Sequence, residues 1–527
     1  KIKNTNFLGI PKNPSPLKIT DSRHSSKNVG STVGDPMSTN GVREVEKTLD
    51  RISKLPDAVL IQILSLLPTK DAVASCVLSK RWRYLCNSID NFHFDGCSYY
   101  NNVESFVFLV DHVLSHCTCS KIKKFQLILP YNSEWNFDLS ISRWMNFAVE
   151  RKVEDVVLCL CDDNFTFELP ISICTCSSLI TLDWSCCAID KESVIQWKLL
   201  KSLKLNYVFI DNDDLAKILS GCPALETLEL SLFEGFRRLE ITSSNLKRLS
   251  LGSYWWFYGR ADEPLEIIAP YLQHLEISGD LDYLKCKLVN VSSLVTATLT
   301  FNITCITEIE GFADEDGCSD YHQGFRNLVL DYLQKLSYAT ELTIGRWFAE
   351  VVFMLRLEGV LLPKLRCKCL TLEMYVTKNN LYGAASLLQN SPLLETLNIP
   401  LRARAFNDFC CQLELRYLDK GRHIILQSWI SNAVFPNLKN VTFDACIYEC
   451  RKKWFGGGND KLFELSVFLL KNATALKKFV IVSKRRICRE CSESCVSQYL
   501  SGLAKKLLDS PRSSKKLLII YQESALD

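Results

Sequence analysis

Several features that mark other classes of protein are missing from this chain of 527 residues. Its apolar runs stay well short of the roughly 18 residues that a membrane-spanning helix needs. The basic beginning of the chain has no sustained apolar stretch, so it lacks the pattern of a secretion signal. A phosphate-binding glycine loop, a nucleophile elbow and an HExxH zinc motif are also missing. We therefore expect no membrane association, no catalytic residues and no cofactor.

An excess of charge of either sign is missing as well. The chain has 62 basic and 59 acidic residues, a formal net charge of +3, so we expect no nucleic-acid partner. Cysteine is frequent, with 24 residues, and several, such as Cys76 and Cys369, lie within apolar patterns where a thiol behaves as a small core residue. Without a secretion signal, these thiols indicate a reducing compartment, the cytoplasm or the nucleus.

The most frequent pattern is the spaced apolar signature L-x-x-L-x-L. Its clear copies begin at Leu200, Leu225, Leu246, Leu272 and Leu394. Looser copies begin at Ile122, Val153, Leu179, Leu294, Ala339, Cys367, Leu438 and Leu476. From Leu179 to Leu294 the copies follow one another every 21 to 26 residues, within the period of leucine-rich repeats. Later spacings are about twice as long, which indicates insertions or degenerate units.

A longer self-similarity predicts what one repeat contains. The segments 218–230, 387–399 and 469–481 align without a gap, and each reads as a helix end, a short turn and a strand. We expect Gly221, Asn390 and Asn472 to end these helices in the left-handed conformation, and Asp211 or Asn212 to cap the start of the first helix. The fold class is therefore α/β, a curved solenoid with a strand and a returning helix in each unit. A doubly wound sheet is the less favoured alternative, because it would show longer Val/Ile strands and a glycine-rich turn, and neither is present in the sequence.

The segment 55–82, LPDAVLIQILSLLPTKDAVASCVLSKRW, has an apolar surface that it cannot bury by itself. Pro56 and Pro68 bracket one predicted helix, and Thr69 and Ser79 begin two more. The stripe of the first helix consists of Val59, Leu60, Ile63, Leu64 and Leu67, with Ile61 and Leu66 off it. Three short helices make a small core, so the remaining apolar face must contact either the solenoid or another protein.

This segment resembles the F-box of plant F-box/leucine-rich-repeat proteins. The resemblance implies docking on a Skp-type adaptor, which connects the chain to a cullin–RING ubiquitin ligase. The adaptor-binding positions that it implies are Leu55, Pro56, Leu60, Ile63, Leu64, Leu67, Pro68, Val77, Leu78 and Trp82. One departure is Cys86, where the family often has Trp.

The C-terminal part resembles the FBD region of the same plant subfamily, in residues 435–481 and again in 499–521. Together the patterns predict five parts of the chain. They are a disordered tail at 1–48, a three-helix F-box at 49–95, a leucine-rich-repeat solenoid at 96–405, FBD-like terminal repeats at 406–482 and a C-terminal extension at 483–527.

Two groups of residues have metal-ligating chemistry. His112 and His116 stand one helical turn apart, beside Cys117 and Cys119. Cys488, Cys491 and Cys495 form a second group that lacks an obvious fourth ligand. A surface helix and loop thiols are the simpler interpretations, so we predict no metal. The basic run 483–489 is interpreted as a solvated edge.

The predicted function is the recognition of a protein substrate for a Skp–cullin–F-box ubiquitin ligase. In each strand the x positions between the buried leucines face outward, which makes Lys204, Glu229, Ser250, Glu276 and Asn398 candidates for substrate contact. Trp255 and Trp256, which follow a strand, could anchor the substrate or wedge between repeats. Two alternatives stay open: an interaction module that works without a ligase, and a small-molecule-gated receptor.

Overall fold

The computed structural model describes the chain from residue 52 to residue 524 with several gaps. The gaps are 53, 100–101, 130–136, 161–166, 255–263, 281–285, 303–325, 376–377, 403–428, 430–432, 446–449, 451–459, 485–486 and 489. The predicted tail 1–48 and the aromatic pair Trp255 and Trp256 lie outside the described residues. Contacts divide the chain after Leu55 into two units, and the helices and strands belong to the second unit, Pro56–Asp527.

The helices are short near the beginning of this unit and longer toward its end. They are α1 (Asp57–Leu64), α2 (Thr69–Ala74), α3 (Lys80–Cys86), α4 (Val103–His116), α5 (Asp138–Glu150), α6 (Ile171–Cys174), α7 (Asn212–Gly221), α8 (Arg346–Leu357), α9 (Lys378–Gln389), α10 (Lys461–Asn472) and α11 (Cys495–Leu508). Single 3₁₀ turns occupy Ser75–Val77 and Cys97–Tyr99, and residues 326–335 are also helical. Among the described helices, none is both long and apolar enough to cross a membrane.

The strands account for most of the remaining regular structure. They are β1 (Asn91–Asp95), β2 (Lys124–Leu129), β3 (Asp155–Leu160), β4 (Phe167–Glu168), β5 (Thr181–Ser185), β6 (Cys187–Ala188), β7 (Ser202–Ile210), β8 (Thr227–Gly235), β9 (Arg238–Glu240), β10 (Arg248–Tyr254), β11 (Leu265–Ile268), β12 (His274–Asp280), β13 (Cys286–Asn290), β14 (Thr296–Asn302), β15 (Glu341–Ile344), β16 (Cys369–Leu372), β17 (Met374–Tyr375), β18 (Thr396–Arg402), β19 (Asn440–Ala445), β20 (Lys478–Lys484) and β21 (Leu518–Ser524).

One long parallel sheet organises the unit. Its strand order is β1-β2-β3-β5-β7-β8-β10-β12-β14-β15-β16-β18-β19-β20-β21, with β17 beside β18. Alternate side chains such as Leu203, Leu228 and Leu249 are buried, because they are the leucines of the repeated signature and face the same side of the sheet. The predicted fold class, an F-box followed by an α/β leucine-rich-repeat solenoid, is confirmed.

Every copy of the signature, clear or loose, leads into a strand of this sheet. The loose copies at Ile122, Ala339 and Leu476, for example, precede β2, β15 and β20. The doubled spacings turn out to be insertions: β14 pairs directly with β15, and β18 pairs directly with β19, so no strand is missing between them.

The returning helix is not present in every repeat, which corrects the predicted unit. Between β8 and β10 there is only the short strand β9, which joins β11 and β13 in a second parallel sheet of three strands. The connection from Gly235 to Arg248 is shorter than the connection from Ile210 to Thr227 that contains α7, and an extended segment spans it.

The predicted helix ends are correct in position and wrong in mechanism. Asp211 does cap α7, by accepting a hydrogen bond from the N–H of Asp214 at 2.8 Å. Gly221, Asn390 and Asn472, however, are not among the residues with positive φ. Asn390 and Asn472 instead donate from their side-chain amides to the carbonyls of Ser386 and Phe468, each at 2.9 Å. Gly221 is required by space, since a Cβ there would lie 2.6 to 2.8 Å from atoms of Ile195.

The predicted C-terminal extension continues the repeat array. Helix α11 buries Leu500, Leu503 and Leu507, and β21 then pairs in parallel with β20 along its whole length. The segment therefore adds one more helix and strand to the sheet.

Helices α8 and α9 pack against each other at unusually short range. Almost the whole length of α8, from Phe348 to Leu355, is buried. Gly383 of α9 lies over the main chain of Ala349, and a Cβ at that glycine would be 1.8 Å from the Ala349 carbonyl oxygen. Only glycine permits this approach of the two backbones.

We predict that Gly383→Ala destabilises the protein by about 2 kcal/mol or more, because neither backbone can move without loss of packing. Gly502→Ala is the matched control, since Gly502 is also inside a helix and a Cβ there would meet nothing within 4 Å. This control should be neutral or stabilising by about 1 kcal/mol. Thermal unfolding followed by circular dichroism compares them, and equal melting temperatures for the two variants would contradict the packing argument.

Candidate functional site

The three helices of the F-box share a small core of their own. Leu60 and Leu64 of α1 are 0% and 1% exposed, and they pack with Ala72 of α2 and Leu85 of α3, which are also buried. Cys86 lies in the same core, and its thiol donates to the carbonyl of Ala72 at 3.0 Å. Cysteine is smaller than the tryptophan that the family often has at this position, and here its sulfur contacts a main-chain carbonyl of the core.

The inner side of the F-box covers the first edge of the long sheet. Strand β1 has a strand neighbour only on the β2 side. On its other side the N–H of His93 donates to the hydroxyl of Thr69 at 2.7 Å, and the side-chain amide of Asn91 donates to the carbonyl of Ser65 at 3.2 Å. Thr69 is completely buried. Helix α2 therefore satisfies polar groups that an open sheet edge would leave exposed.

The other side of the F-box carries a group of exposed apolar side chains, which we name the F-box outer face. Its members are Val59 (38% exposed), Ile63 (41%), Leu66 (82%), Leu67 (40%), Val77 (86%), Leu78 (65%) and Tyr84 (73%). So many large apolar residues within one short segment exceed the isolated exposed leucines that any surface has. The outer face has the composition of a protein-docking surface.

The structure separates the ten predicted adaptor-binding residues into groups. Ile63, Leu67, Val77 and Leu78 belong to the outer face, Pro56 and Pro68 are exposed, and Leu55 and Trp82 are half-buried. Leu60 and Leu64 fill the internal core and have almost no exposed side-chain surface in this chain, so their contact with an adaptor stays a prediction.

Val59 of α1, Leu66 just after α1 and Tyr84 of α3 are exposed members of the outer face that the predicted adaptor-binding set did not include. Helix α1 is apolar on nearly all sides, so the helical stripe alone could not separate the inward residues from the outward ones.

The orientation of the F-box helices is fixed by polar contacts at their ends. The guanidinium of Arg81 donates to Asp57 through Nε at 2.8 Å, which joins the start of α3 to the start of α1. Ser79 caps α3 by accepting from the N–H of Trp82, as predicted. The starts of α1 and α3 are therefore linked to each other.

The predicted substrate-contacting residues lie in one line across the exposed side of the sheet, which we name the central row. Strand register places Lys204 opposite Glu229, Glu229 opposite Ser250, and Ser250 opposite Glu276. The full row runs Asp183, Lys204, Glu229, Ser250, Glu276, Thr298, Thr343, Thr371, Asn398 and Thr442. All five predicted positions on the described strands are half-buried or exposed.

The central row changes character along the sheet. Its first part is charged, with Lys204 Nζ 3.7 Å from the carboxylate of Glu229. Burial raises the pKa of Asp183 above its usual value, while Lys204 lowers it and Glu229 raises it again. From Thr298 onward the row contains hydroxyl and amide groups, among them Asn398, whose amide lies 3.5 Å from the Thr371 hydroxyl. The two parts would recognise different polar chemistry.

The histidine–cysteine group is arranged around contacts among its own members. The rings of His112 and His116 are tilted by 43° with centroids 4.3 Å apart, and Nδ1 of His116 lies 2.8 Å from the carbonyl oxygen of His112. The thiols of Cys117 and Cys119 are 2.9 Å from each other. Among the residues that the structure describes, these four side chains are not a set that could surround one ion.

The second predicted group gains a member that the sequence did not reveal. Cys488, Cys491 and Cys495 converge with Cys450, and the four sulfur atoms all lie within 4.8 Å of one another. Cys450 was missed because helix α10 and strand β20 separate it from the other three in the sequence.

Comparison with known proteins agrees with both parts of this architecture. The family model of the F-box domain matches residues 52–94, and the model described as FBD-associated F-box protein At5g56370, LRR repeats, matches residues 141–297. The F-box/FBD/LRR-repeat protein At4g00160 of Arabidopsis thaliana is 30% identical over 450 residues, which cover 81% of this chain and 85% of that protein.

Two further Arabidopsis thaliana relatives cover a smaller part of the chain. The F-box/LRR-repeat protein At5g02910 is 31% identical over 356 residues, 67% of this chain and 72% of that protein. The F-box/LRR-repeat protein At3g03360 is 30% identical over 361 residues, 66% of this chain and 70% of that protein. The fold and these matches define a leucine-rich-repeat protein with an F-box. The chain belongs to the plant F-box/FBD/LRR-repeat family.

We predict that Asp183→Asn raises the melting temperature at pH 7, because the amide removes the penalty of a partly buried carboxylate. The gain should stay below about 1 kcal/mol, since solvent screens a side chain that is only half buried. It should fade as the pH falls through the raised pKa of Asp183 and vanish below the ordinary carboxyl pKa of about 3.9, where both states of the wild type are protonated.

Glu276→Gln, at an exposed position of the same row, is the control and should leave the melting temperature nearly unchanged. A lower melting temperature for Asp183→Asn at pH 7 would contradict this account, because it would mean that the carboxylate stabilises the sheet.

Proposed function

We propose that this protein is the substrate-binding subunit of a Skp–cullin–F-box ubiquitin ligase. In this proposal the F-box outer face binds a Skp-type adaptor, the adaptor connects the chain to a cullin–RING ligase, and the exposed side of the sheet binds a protein substrate. Other subunits carry out ubiquitin transfer, and this chain contributes proximity and orientation. The site of action is the cytoplasm or the nucleus.

The F-box outer face is the observation that supports this proposal most strongly. The three helices bury one side in their own core and against β1, yet they leave seven large apolar side chains exposed. If the F-box were only a cap for the sheet, polar outward residues would serve equally well and would be more soluble. Apolar side chains on a rigid helical surface are suited to a groove or helix of another protein.

The central row is the surface that we propose for the substrate. It differs in charge from strand to strand, so it could distinguish one protein partner from others by complementary polar groups. Three of its four charged residues are acidic, which does not suit the uniformly negative backbone of a nucleic acid.

A ligase-independent interaction module is the second candidate function. The hydrogen bonds from β1 to Thr69 and Ser65 support it, because they give the F-box a structural role within the chain itself. The two candidates differ in one measurable property, which is the affinity of the full chain for a Skp-type adaptor.

Outward-facing apolar residues provide the test of adaptor binding. Ile63→Asp and Leu78→Asp should each weaken binding of a Skp-type adaptor by about 100-fold or more, because each would place an unpaired carboxylate in an apolar interface. Both side chains are exposed in the chain itself, so the circular dichroism spectrum and the melting temperature should stay close to those of the wild type. Isothermal titration calorimetry with the purified full chain measures the affinity.

Leu361→Asp is the matched control, since Leu361 is 83% exposed and lies outside the F-box. It should bind the adaptor like the wild type. Leu60→Asp should unfold the F-box instead of acting on the interface alone. Failure of the wild-type chain to bind the adaptor at micromolar concentrations would rule out the ligase proposal and leave the interaction module.

Charge reversal in the central row tests the proposed substrate surface. We expect Lys204→Glu combined with Glu276→Lys to reduce the set of proteins that the full chain captures from plant extract, while adaptor binding stays unchanged. Both residues are exposed, but Lys204→Glu places a third carboxylate between Asp183 and Glu229, so the melting temperature of the variant is measured as well. Quantitative mass spectrometry compares the captured proteins, and an unchanged set would exclude the charged part of the row from recognition.

A further inference from the structure

Four cysteines meet near the C-terminal end of the repeat array. Cys450 follows strand β19, Cys488 follows strand β20, Cys491 is in the loop after it, and Cys495 is the first residue of α11. Because β19 and β20 are parallel neighbours, their C-terminal ends lie side by side, and the loops that follow them begin close together. Strand pairing therefore brings Cys450 to the other three.

The distances between the sulfur atoms are suited to one metal ion. Zinc binds thiolates at about 2.3 Å, so a tetrahedral site sets neighbouring sulfurs about 3.8 Å apart. The four sulfurs here lie within 4.8 Å of one another, so a small contraction closes the shell. Two disulfides would require only that the sulfurs approach in pairs. Convergence of all four on one point is the arrangement that a shared ion requires.

The loop that contains Cys488 and Cys491 has a tight and defined shape. The N–H of Ser492 donates to the carbonyl of Cys488 at 3.0 Å, and the N–H of Cys488 donates to the carbonyl of Glu493 at 2.9 Å. Ser492 has φ of 55°, the left-handed conformation that turns the chain sharply after Cys491.

The surroundings are compatible with four thiolates. Cys450 is 2% exposed and the other three are half-buried, so the group is shielded without being sealed from solvent. Cys495 begins a helix of 14 residues, where the positive end of the helix dipole favours a thiolate. A surface cavity lined by Cys450, Cys491 and Cys495 also contains Lys506. Glu493 lines the same cavity, so its lining contains one charged residue of each sign.

Helix α11 and the last two strands would be held together by such an ion. The hydroxyl of Ser483 at the end of β20 lies 2.9 Å from that of Ser497 in α11, and Tyr521 of β21 donates to the carbonyl of Ser497 at 3.2 Å. Tyr499 of α11 donates to Asp460, the cap of α10, at 2.5 Å. The first turn of α11 is therefore the junction of the terminal repeats, and Cys495 begins it.

We propose that Cys450, Cys488, Cys491 and Cys495 bind one structural zinc ion, which fastens the last repeats of the array together. With four protein ligands the ion has no open position for a substrate, so its role is structural and not catalytic. A four-iron cluster fits the site less well, because each cysteine then binds a different iron and the sulfurs must lie farther apart. The site does not depend on adaptor binding.

Metal content of the full chain is the first test. Protein expressed with zinc and purified without chelator should contain one zinc ion per chain by inductively coupled plasma mass spectrometry. Cys450→Ser and Cys491→Ser should each lose it, while Cys97→Ser, a change of an exposed cysteine outside the group, should keep it. Cys495→His should restore binding where Cys495→Ser does not, since imidazole also binds zinc.

A second measurement uses the wild-type protein, so it does not depend on the folding of any variant. Cobalt added to the metal-free chain should produce the intense visible bands of tetrahedral cobalt–thiolate coordination. Zinc should protect the four cysteines from alkylation, as mapped by mass spectrometry, and should slow hydrogen exchange in α11. Metal-free wild-type protein, disulfides among the four cysteines, or bound iron with inorganic sulfide would each overturn the proposal.

Discussion

The architecture of this protein depends on the burial of the leucines of each repeat by the strands of the neighbouring repeats. One repeat cannot bury its own leucines, and Leu203, Leu228 and Leu249 are buried because the strands of adjacent repeats flank each of them. The first strand has no preceding repeat. At that edge Thr69 of the F-box accepts from the main-chain N–H of His93, and Ser65 accepts from the side-chain amide of Asn91, so the F-box covers the first strand.

The F-box thus also covers the edge of the sheet. Its buried residues and its exposed apolar residues therefore have different physical reasons. Leu60, Leu64 and Thr69 are buried because the F-box core and the sheet edge need them. Leu66, Val77 and Leu78 are exposed although they stabilise neither, and this is why we assign them to a partner. The rigid attachment to β1 would also hold any bound ligase at a fixed orientation to the substrate surface, which favours transfer to a bound protein.

Much of the fold could be predicted because each strand repeats one local pattern, and even the loose copies at Ile122, Ala339 and Leu476 precede strands. The features that were missed depend on contacts between distant segments. Gly221 is fixed by the proximity of Ile195, and strands β9, β11 and β13 are too short to have a period of their own. Cys450 joins the other cysteines only through the pairing of β19 with β20. Leu60 and Leu66 differ in burial, although both lie in one continuous apolar segment.

Hydrogen–deuterium exchange of the full chain, with and without a purified Skp-type adaptor, tests the central claim that the F-box has one side for the sheet and another for a partner. The account predicts slower exchange in α1 and in the segment Ser75–Val77 when the adaptor is present, with the amides of β1 and the central row unchanged. Exchange that slows along the sheet and not in the F-box, or that does not change anywhere, would contradict it.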